Sequence, residues 1–261
     1  MALAAGHDSV PVLLWGTAQA HICLGQSQSP ALELVPDPFV PVVRRALGGG
    51  AVWVDEQQWC HVLVVPLRLA PRHPAEWGNW ALQPAMATFR RFGLAVEIRD
   101  GDLWLHGRKI AGSGSATIGQ SAVIASSYLL RFPGEKFARC IAGSAGFRDW
   151  LLQGLKQTMT DWASHAEIPA EADLRDTHVS AVEQAFGWKL LPSSLTAAET
   201  VAIEEAVKEN EIDDWHEGGR GYTGGIKLNA ESWLIERQLD GVAVREMVVR
   251  GNLARREIIS A

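Results

Sequence analysis

Residues 44–53 read Arg44-Arg45-Ala46-Leu47-Gly48-Gly49-Gly50-Ala51-Val52-Trp53. Two cations precede three consecutive glycines, and an apolar run follows. Glycine is expensive to order, so three in a row need a reason. Without side chains, backbone N–H groups can approach a ligand closely, and a run of them makes an anion-binding concavity. A neighbouring arginine adds charge-assisted bonds to phosphate. The stretch reads either as a phosphate or nucleotide cradle or as a loop beside two surface arginines. It is neither GxxxxGK[ST] nor GxGxxG, so it matches no well-specified phosphate motif.

A second cluster, Gly107-Arg108-Lys109-Ile110-Ala111-Gly112-Ser113-Gly114-Ser115, places one lysine in a strand-like pattern among small residues. A lysine at a pocket mouth can hold a carboxylate or phosphate and can polarise a carbonyl. The plain alternative is a solvated lysine on an edge strand.

The chain has 261 residues, 47% hydrophobic and 21% charged, a composition that supports a sizeable buried core. No apolar run approaches the length of a membrane-spanning helix. The first residues carry Asp8 and no Lys or Arg ahead of the apolar part, unlike a secretory leader. Cys23, Cys60 and Cys140 form no CxxC pair, which argues against a disulfide framework and favours a reducing compartment, the cytoplasm. A net charge of −6 argues against nucleic acid as partner. From Asp176 onward there are 15 acids and 9 bases, while the preceding part is balanced. That asymmetry suggests a larger unit, residues 1–175, and a small one, residues 176–261.

Coarse periodicity predicts strands at Thr17–Leu24, Ala51–Val54, Trp59–Leu67 and Ser121–Phe132. Leu94–Ile98 and Leu103–Ala111 read as a hairpin around Asp100-Gly101-Asp102. Helices are predicted at Asn79–Phe92, at Asp149–Trp162 with Asp149 as cap, and at Thr196–Ile212 with a capping box. Gly225–Leu239 and Val242–Val249 alternate by two across Asp240-Gly241, as in an antiparallel hairpin. The expected class is α/β or α+β, with a small α+β unit at the C-terminal end.

Taken together, the two motifs resemble the lipoate–protein ligase family, which is related to the biotin protein ligases and octanoyltransferases. Arg44, Arg45, Gly48, Gly49, Gly50, Ala51, Val52 and Asp55 fall on its RR-x-SGGG-A-V-x-x-D element. Asp102, Leu103, Gly107, Lys109, Ile110, Gly112 and Ser113 fall on its second element, ND-L-x(3)-G-x-KI-x-GSA. Ile22–Pro30 looks like the family's short GxxQN element, and Gly224–Leu253 resembles the ligases' accessory domain.

The resemblance implies a mixed-sheet biotinyl/lipoyl-transferase-type catalytic domain with a small accessory domain. It implies activation of lipoate with ATP and Mg2+ to lipoyl-AMP. Transfer to a lysine of a small acceptor follows, a lipoyl domain or an H-protein-like partner. Lys109 matches the essential lysine. Arg45 matches the nucleotide-phosphate contact, and Gly48–Gly50, Ala51, Val52 and Trp53 match the segment along the adenylate. Gly112 and Ser113 fall in the same binding pattern, and Asp102 matches an aspartate near Mg2+. Tunnel walls for the acyl chain would come from Ile22, Leu24, Val52 and Val123. Leu47 replaces the family's serine, Gly101 its asparagine, and Ile124, Ala125 and Ser126 its HHG. Two rivals stand beside this reading: an octanoyltransferase with Cys140 as thiol nucleophile, and a non-catalytic lipoyl- or biotin-binding homologue. Most of the eleven tryptophans read as core, with Trp53 as the one placed to meet adenine.

Overall fold

The structure, a computed structural model, describes residues 10–211, 225–228 and 232–259. It comprises two compact units, each drawn from three stretches of chain: Met1–Ala18, Glu56–Arg131 and Thr160–Asp213 in one, and Gln19–Asp55, Phe132–Met159 and Asp214–Ala261 in the other.

The first unit holds a six-stranded antiparallel sheet. Its order is β1 (Val12–Gly16), β5 (Gln58–Pro66), β9 (Ser121–Leu129), β8 (Arg108–Ile118), β7 (Asp102–Leu105) and β6 (Glu97–Arg99). Leu63, Val65, Ala122 and Ile124 pack with Trp77 and Ala81 of helix α2 (Trp77–Ala81). A second cluster joins Leu103, Leu105, Ile110 and Tyr128 to Phe89 of α3 (Gln83–Arg91) and Leu174 of α6 (Glu171–Phe186). The expected helix Asn79–Phe92 is thus two. Pro84 lies in the first turn of α3, where its missing N–H is harmless, but it cannot continue α2.

The expected strand Leu103–Ala111 is also two. His106 and Gly107 both take positive φ, 50° and 76°, and close a second tight hairpin after that at Asp100-Gly101, 50° and 77°. Two left-handed residues with glycine second are the turn that suits the twist of paired strands. Lys109 therefore sits at the start of a fresh strand, β8. Helix α7 (Ala197–Glu211) begins with the expected capping box: Thr196 N donates to Glu199 Oε2 at 2.6 Å, and Glu199 N to Thr196 Oγ1 at 3.2 Å.

Under α6 lies a buried aromatic and imidazole cluster. Tyr128 Oη is 2.7 Å from His178 Nδ1, and the rings of His61 and His178 are 4.4 Å apart. Burial holds His61 down to about 4, and burial, then the neighbouring His61, holds His178 well below the ordinary value. An unfolded imidazole takes its proton near pH ~6.5. Between these values the unfolded chain binds more protons than the native one, so stability present above about pH 6.5 is lost as pH falls towards 4. For His61 alone the loss is on the order of 3 kcal/mol. The urea midpoint is expected to fall steadily from pH 7 to 4, and less so in His61→Phe. A flat wild-type profile would contradict the assignment.

The second unit contains a three-stranded sheet ordered β3 (Val42–Arg44), β2 (His21–Leu24), β4 (Val52–Val54), with β2–β3 parallel and β2–β4 antiparallel. It also contains α1 (Pro30–Glu33), α4 (Gly134–Cys140) and α5 (Ala145–Thr158). The cap of α5 is Ser144, whose Oγ accepts from Phe147 N at 3.0 Å; Asp149 lies inside the helix. A four-stranded antiparallel sheet follows, β10 (Gly225–Lys227), β11 (Ser232–Leu239), β12 (Val242–Val249) and β13 (Asn252–Ile259). Residues 229–231 of the expected strand lie outside the described ones. Ile22, Leu24, Trp53, Phe147, Leu151, Ile226 and Leu234 share one core. Among the described residues, no helix is long and apolar enough to cross a membrane.

Candidate active site

The glycine run belongs to the second unit and follows β3. Arg45 N still donates to Leu24 O at 2.9 Å, but its side chain turns back onto the run. Nε and Nη2 donate to Gly48 O at 3.3 and 3.0 Å, and Nη2 also to Gly50 O at 2.7 Å. Nη1 donates to Cys23 O at 2.8 Å and lies 3.7 Å from Cys23 Sγ. The guanidinium thus clasps the carbonyls of the run. The N–H groups of Gly48, Gly49 and Gly50 meet no acceptor among the described residues. Carbonyls tied back and amides left open is the polarity an anion nest requires.

Gly25, in the polar turn after β2, sets how closely the chain can fold here. A Cβ on it would lie 2.2 Å from Gly49 O, and Gly49 itself has φ +103°. Gln28 Oε1 accepts from Gly25 N at 2.9 Å and braces the turn. Lys227 of β10 packs against Gly50 from the other side, 3.6 Å from where a Cβ would stand. Leu47 and Ala51 are buried, while Val52 is 43% exposed. The Trp53 ring is in the core, and its Nε1 donates to Asp55 Oδ2 at 2.7 Å, so it is the backbone at 53 that borders the run. Of the expected tunnel walls, Ile22 and Leu24 lie in this core, and Val123 is buried in the other unit.

Lys109 belongs to the first unit. β7 and β8 pair with Asp102 opposite Gly112, across a bulge at Leu103/Trp104. This places Lys109 Nζ 2.9 Å from Asp102 Oδ1, with side-chain exposures of only 18% and 7%. A Cβ on Gly112 would stand 2.6 Å from that ammonium, so glycine leaves the room the lysine occupies. The Asp100-Gly101 turn beside it is clamped twice. Gly101 N donates to Asn79 Oδ1 at 2.8 Å, and Ser113 Oγ donates to Gly101 O at 2.7 Å. Gly78 of α2 approaches so closely that a Cβ would be 2.9 Å from Ser113 Oγ. A cavity of about 410 Å3 opens here, lined by Pro74, Gly78, Asn79, Asp100, Ser113 and Ser115 among others. Asn79 is a residue the motifs did not single out. It supplies a side-chain amide to the turn at which position 101 has none.

Asp102 Oδ2 is buried and meets no hydrogen-bond donor. Among the described residues no three His, Cys, Asp or Glu side chains gather as a metal site. Magnesium is commonly held by one or two carboxylates together with phosphate oxygens and water. One free carboxylate oxygen fits a metal arriving on a triphosphate, not a metal held by protein alone.

The thiols divide sharply. Cys140 is fully buried, and burial pushes its thiol up against the weaker pull of Arg139, which weighs against it as a nucleophile. Cys60 and His61 are neighbours on β5 and point to opposite faces. The pair that does interact is His21 and Cys23, two apart on one face of β2. An H-x-C spacing in a strand was the available signal. Where the resembled family carries its HHG element, Ile124 is buried core, and at the glycine's position Ser126 Oγ is buried and meets no partner.

No curated protein matches this chain in sequence. Solved structures match it in fold. One describes an archaeal lipoylation system, a bi-partite lipoate protein ligase and its E2 lipoyl domain from Thermoplasma acidophilum; it aligns at TM-score 0.76 and 15% identity over 83% of this chain and 88% of that one. Ta0514 from T. acidophilum with bound lipoic acid aligns at 0.68 and 14%, over 80% and 86%. Lipoate-protein ligase A bound with ATP aligns at 0.65 and 14%, over 80% and 86%. At these identities the likeness is one of fold. The family model of the lipoyl protein ligase A/B catalytic domain matches residues 2–185, and the chain belongs to that family.

Proposed function

We propose that the protein is a lipoate–protein ligase: it activates lipoate, or a close medium-chain analogue, with ATP to an acyl-adenylate and transfers the acyl group to a lysine of a small lipoyl-acceptor domain. The observation that carries this is Lys109, a mostly buried ammonium with Asp102 as its ion-pair partner and with room left by Gly112. Such a charge stabilises negative oxygen where it develops, first on the phosphorus attacked by the carboxylate and then on the tetrahedral carbon attacked by the acceptor amine. Gly48–Gly50 and the adjoining Ala51, Val52 and Trp53 backbone are assigned the adenylate, with Arg45 shaping the run. Its donors are spent on Gly48 O, Gly50 O and Cys23, so a direct phosphate contact by Arg45 requires one of those bonds to be exchanged. Gly112 and Ser113 are assigned the lysine's surroundings. Mg2+ would enter with ATP and use Asp102 Oδ2; bound there, it would neutralise phosphate charge.

Relatives of the same fold hold lipoic acid, hold ATP, or are described with an E2 lipoyl domain, which supports these substrates and that class of partner. The proposal assigns activation to residues 1–175, an accessory role to 176–261, and the cytoplasm as location. The test is a purified E2 lipoyl domain incubated with the protein, lipoate and MgATP and weighed by mass spectrometry. One lipoyl group on one lysine, dependent on ATP, is expected. Acylation from an acyl thioester without ATP would replace the proposal with a transferase. No acylation from either donor would leave a binding protein.

A further inference from the structure

β2 carries a cluster of side chains that ligation does not use. His21 and Cys23 share a face of the strand, two residues apart. His21 Nδ1 lies 2.7 Å from Gln19 O. A carbonyl only accepts, so Nδ1 carries the proton and Nε2 is left to meet the thiol. From the segment after β3, Arg45 Nη1 comes within 3.7 Å of Cys23 Sγ. A thiol held between an imidazole of fixed tautomer and a guanidinium is the arrangement that generates thiolate. β3 and β4 set Val43 and Val52 opposite Cys23, so His21 and Arg45 are the charged groups that act on it. Burial would push this thiol up, but the bond from His21 and the charge and bond of Arg45 outweigh it and the thiol titrates low. His21 moves the other way, raised above all by its bond to Cys23, against burial. Cys23 is half-buried, whereas Cys140 is fully buried.

We propose that Cys23 is a modification site for anionic disulfides of the glutathione-disulfide class, and that the mixed disulfide closes the glycine cradle. The thiolate attacks one sulfur of the reagent. The reagent's S–S bond breaks, a bond from Sγ to that sulfur forms, and the other half leaves as a thiolate. Cys23 is oxidised, the departing half is reduced, and the imidazolium, having lost its counter-charge, releases its proton to solvent. The carboxylates of the attached group then compete for Arg45, whose N–H groups hold Gly48 O and Gly50 O. The guanidinium that shapes the run is drawn off it. A thiol reverses the change by the same exchange.

The effect on activity rests on the ligase reading; the modification does not, and the experiment separates them. The full chain, with Cys23→Ser, Cys60→Ser, His21→Ala and His21→Gln variants checked for folding by circular dichroism, is incubated with oxidised glutathione at pH 7. Sites and rates are read by peptide mass spectrometry, and lipoate-dependent pyrophosphate exchange is followed in parallel. Cys23 is expected to react about tenfold faster than Cys60 or Cys140, and about tenfold slower once either His21 variant removes the imidazole. Exchange is expected to fall with Cys23 modification, to recover with dithiothreitol, and to resist the reagent in Cys23→Ser. Faster reaction at Cys60 or Cys140, or rates unchanged by both His21 variants, would overturn the modification site. Full exchange from a chain modified at Cys23 would overturn the closing of the cradle. Absence of exchange even in the reduced chain would refute the ligase reading and leave the Cys23 rates to decide the site.

Discussion

Lys109→Ala is expected to slow acyl-adenylate formation by about two to three orders of magnitude, the loss typical when a preorganised donor to a developing oxyanion is removed. The geometry makes the loss hard to compensate. Asp102 is the ion-pair partner of Lys109, and Gly112 offers no side chain to fill the space. Truncation also strands a carboxylate of 7% exposure with neither oxygen paired. Breaking a buried pair from one side destabilises by about 3–5 kcal/mol. The single variant should therefore lose both activity and thermal stability. Lys109→Ala with Asp102→Asn should recover most of the stability and none of the activity, because the asparagine is neutral. Unfolding curves and pyrophosphate exchange on the two variants separate these effects. Activity within severalfold of wild type in the stable double variant would remove Lys109 from the mechanism.

Gly25→Ala is expected to lower activity at least about 100-fold, although residue 25 is assigned no contact with substrate. Its Cβ would fall 2.2 Å from a backbone oxygen, that of Gly49. A side chain could swing away, but a carbonyl can yield only by moving the run. Gly49 has φ +103°, and a Cβ there would itself lie 2.9 Å from Arg45 Nη2, so the run has little slack. Overpacking of this kind typically destabilises by about 1–3 kcal/mol, and an ångström of misplacement in a reacting group can lower the rate about 100-fold. The control is Gly16→Ala in β1, where a Cβ meets nothing within 4 Å. Activity and urea midpoints measured for both decide it; equal behaviour of the two variants would show that the close approach of Gly25 is not needed.

The motif residues were legible because their chemistry is local. Three glycines after an arginine pair, and one lysine among small residues, declare a need for backbone access and for a charge. Which partners complete them was not legible. Asn79 reaches Gly101 from a helix, and Gln28 reaches Gly25 across a turn; neither belongs to the motifs. Helix α6 was missed although Leu174, His178, Ala181 and Val182 recur at helical spacing, because the buried His178 reads as polar. Strand β1 lay in a segment weighed only as a possible leader. The break at His106-Gly107 was missed because a histidine with positive φ is rarer than Asn or Asp in such a turn. The His21–Cys23 pair required seeing that period two, not adjacency, puts side chains together.

The most direct measurement is lipoate-dependent exchange of labelled pyrophosphate into ATP, with wild type and Cys140→Ala side by side. Adenylate chemistry at Lys109 predicts exchange that needs lipoate and Mg2+ and is unchanged by the loss of a fully buried thiol. Absence of exchange in wild type, with Cys140-dependent acyl transfer from an acyl thioester in its place, would contradict the account.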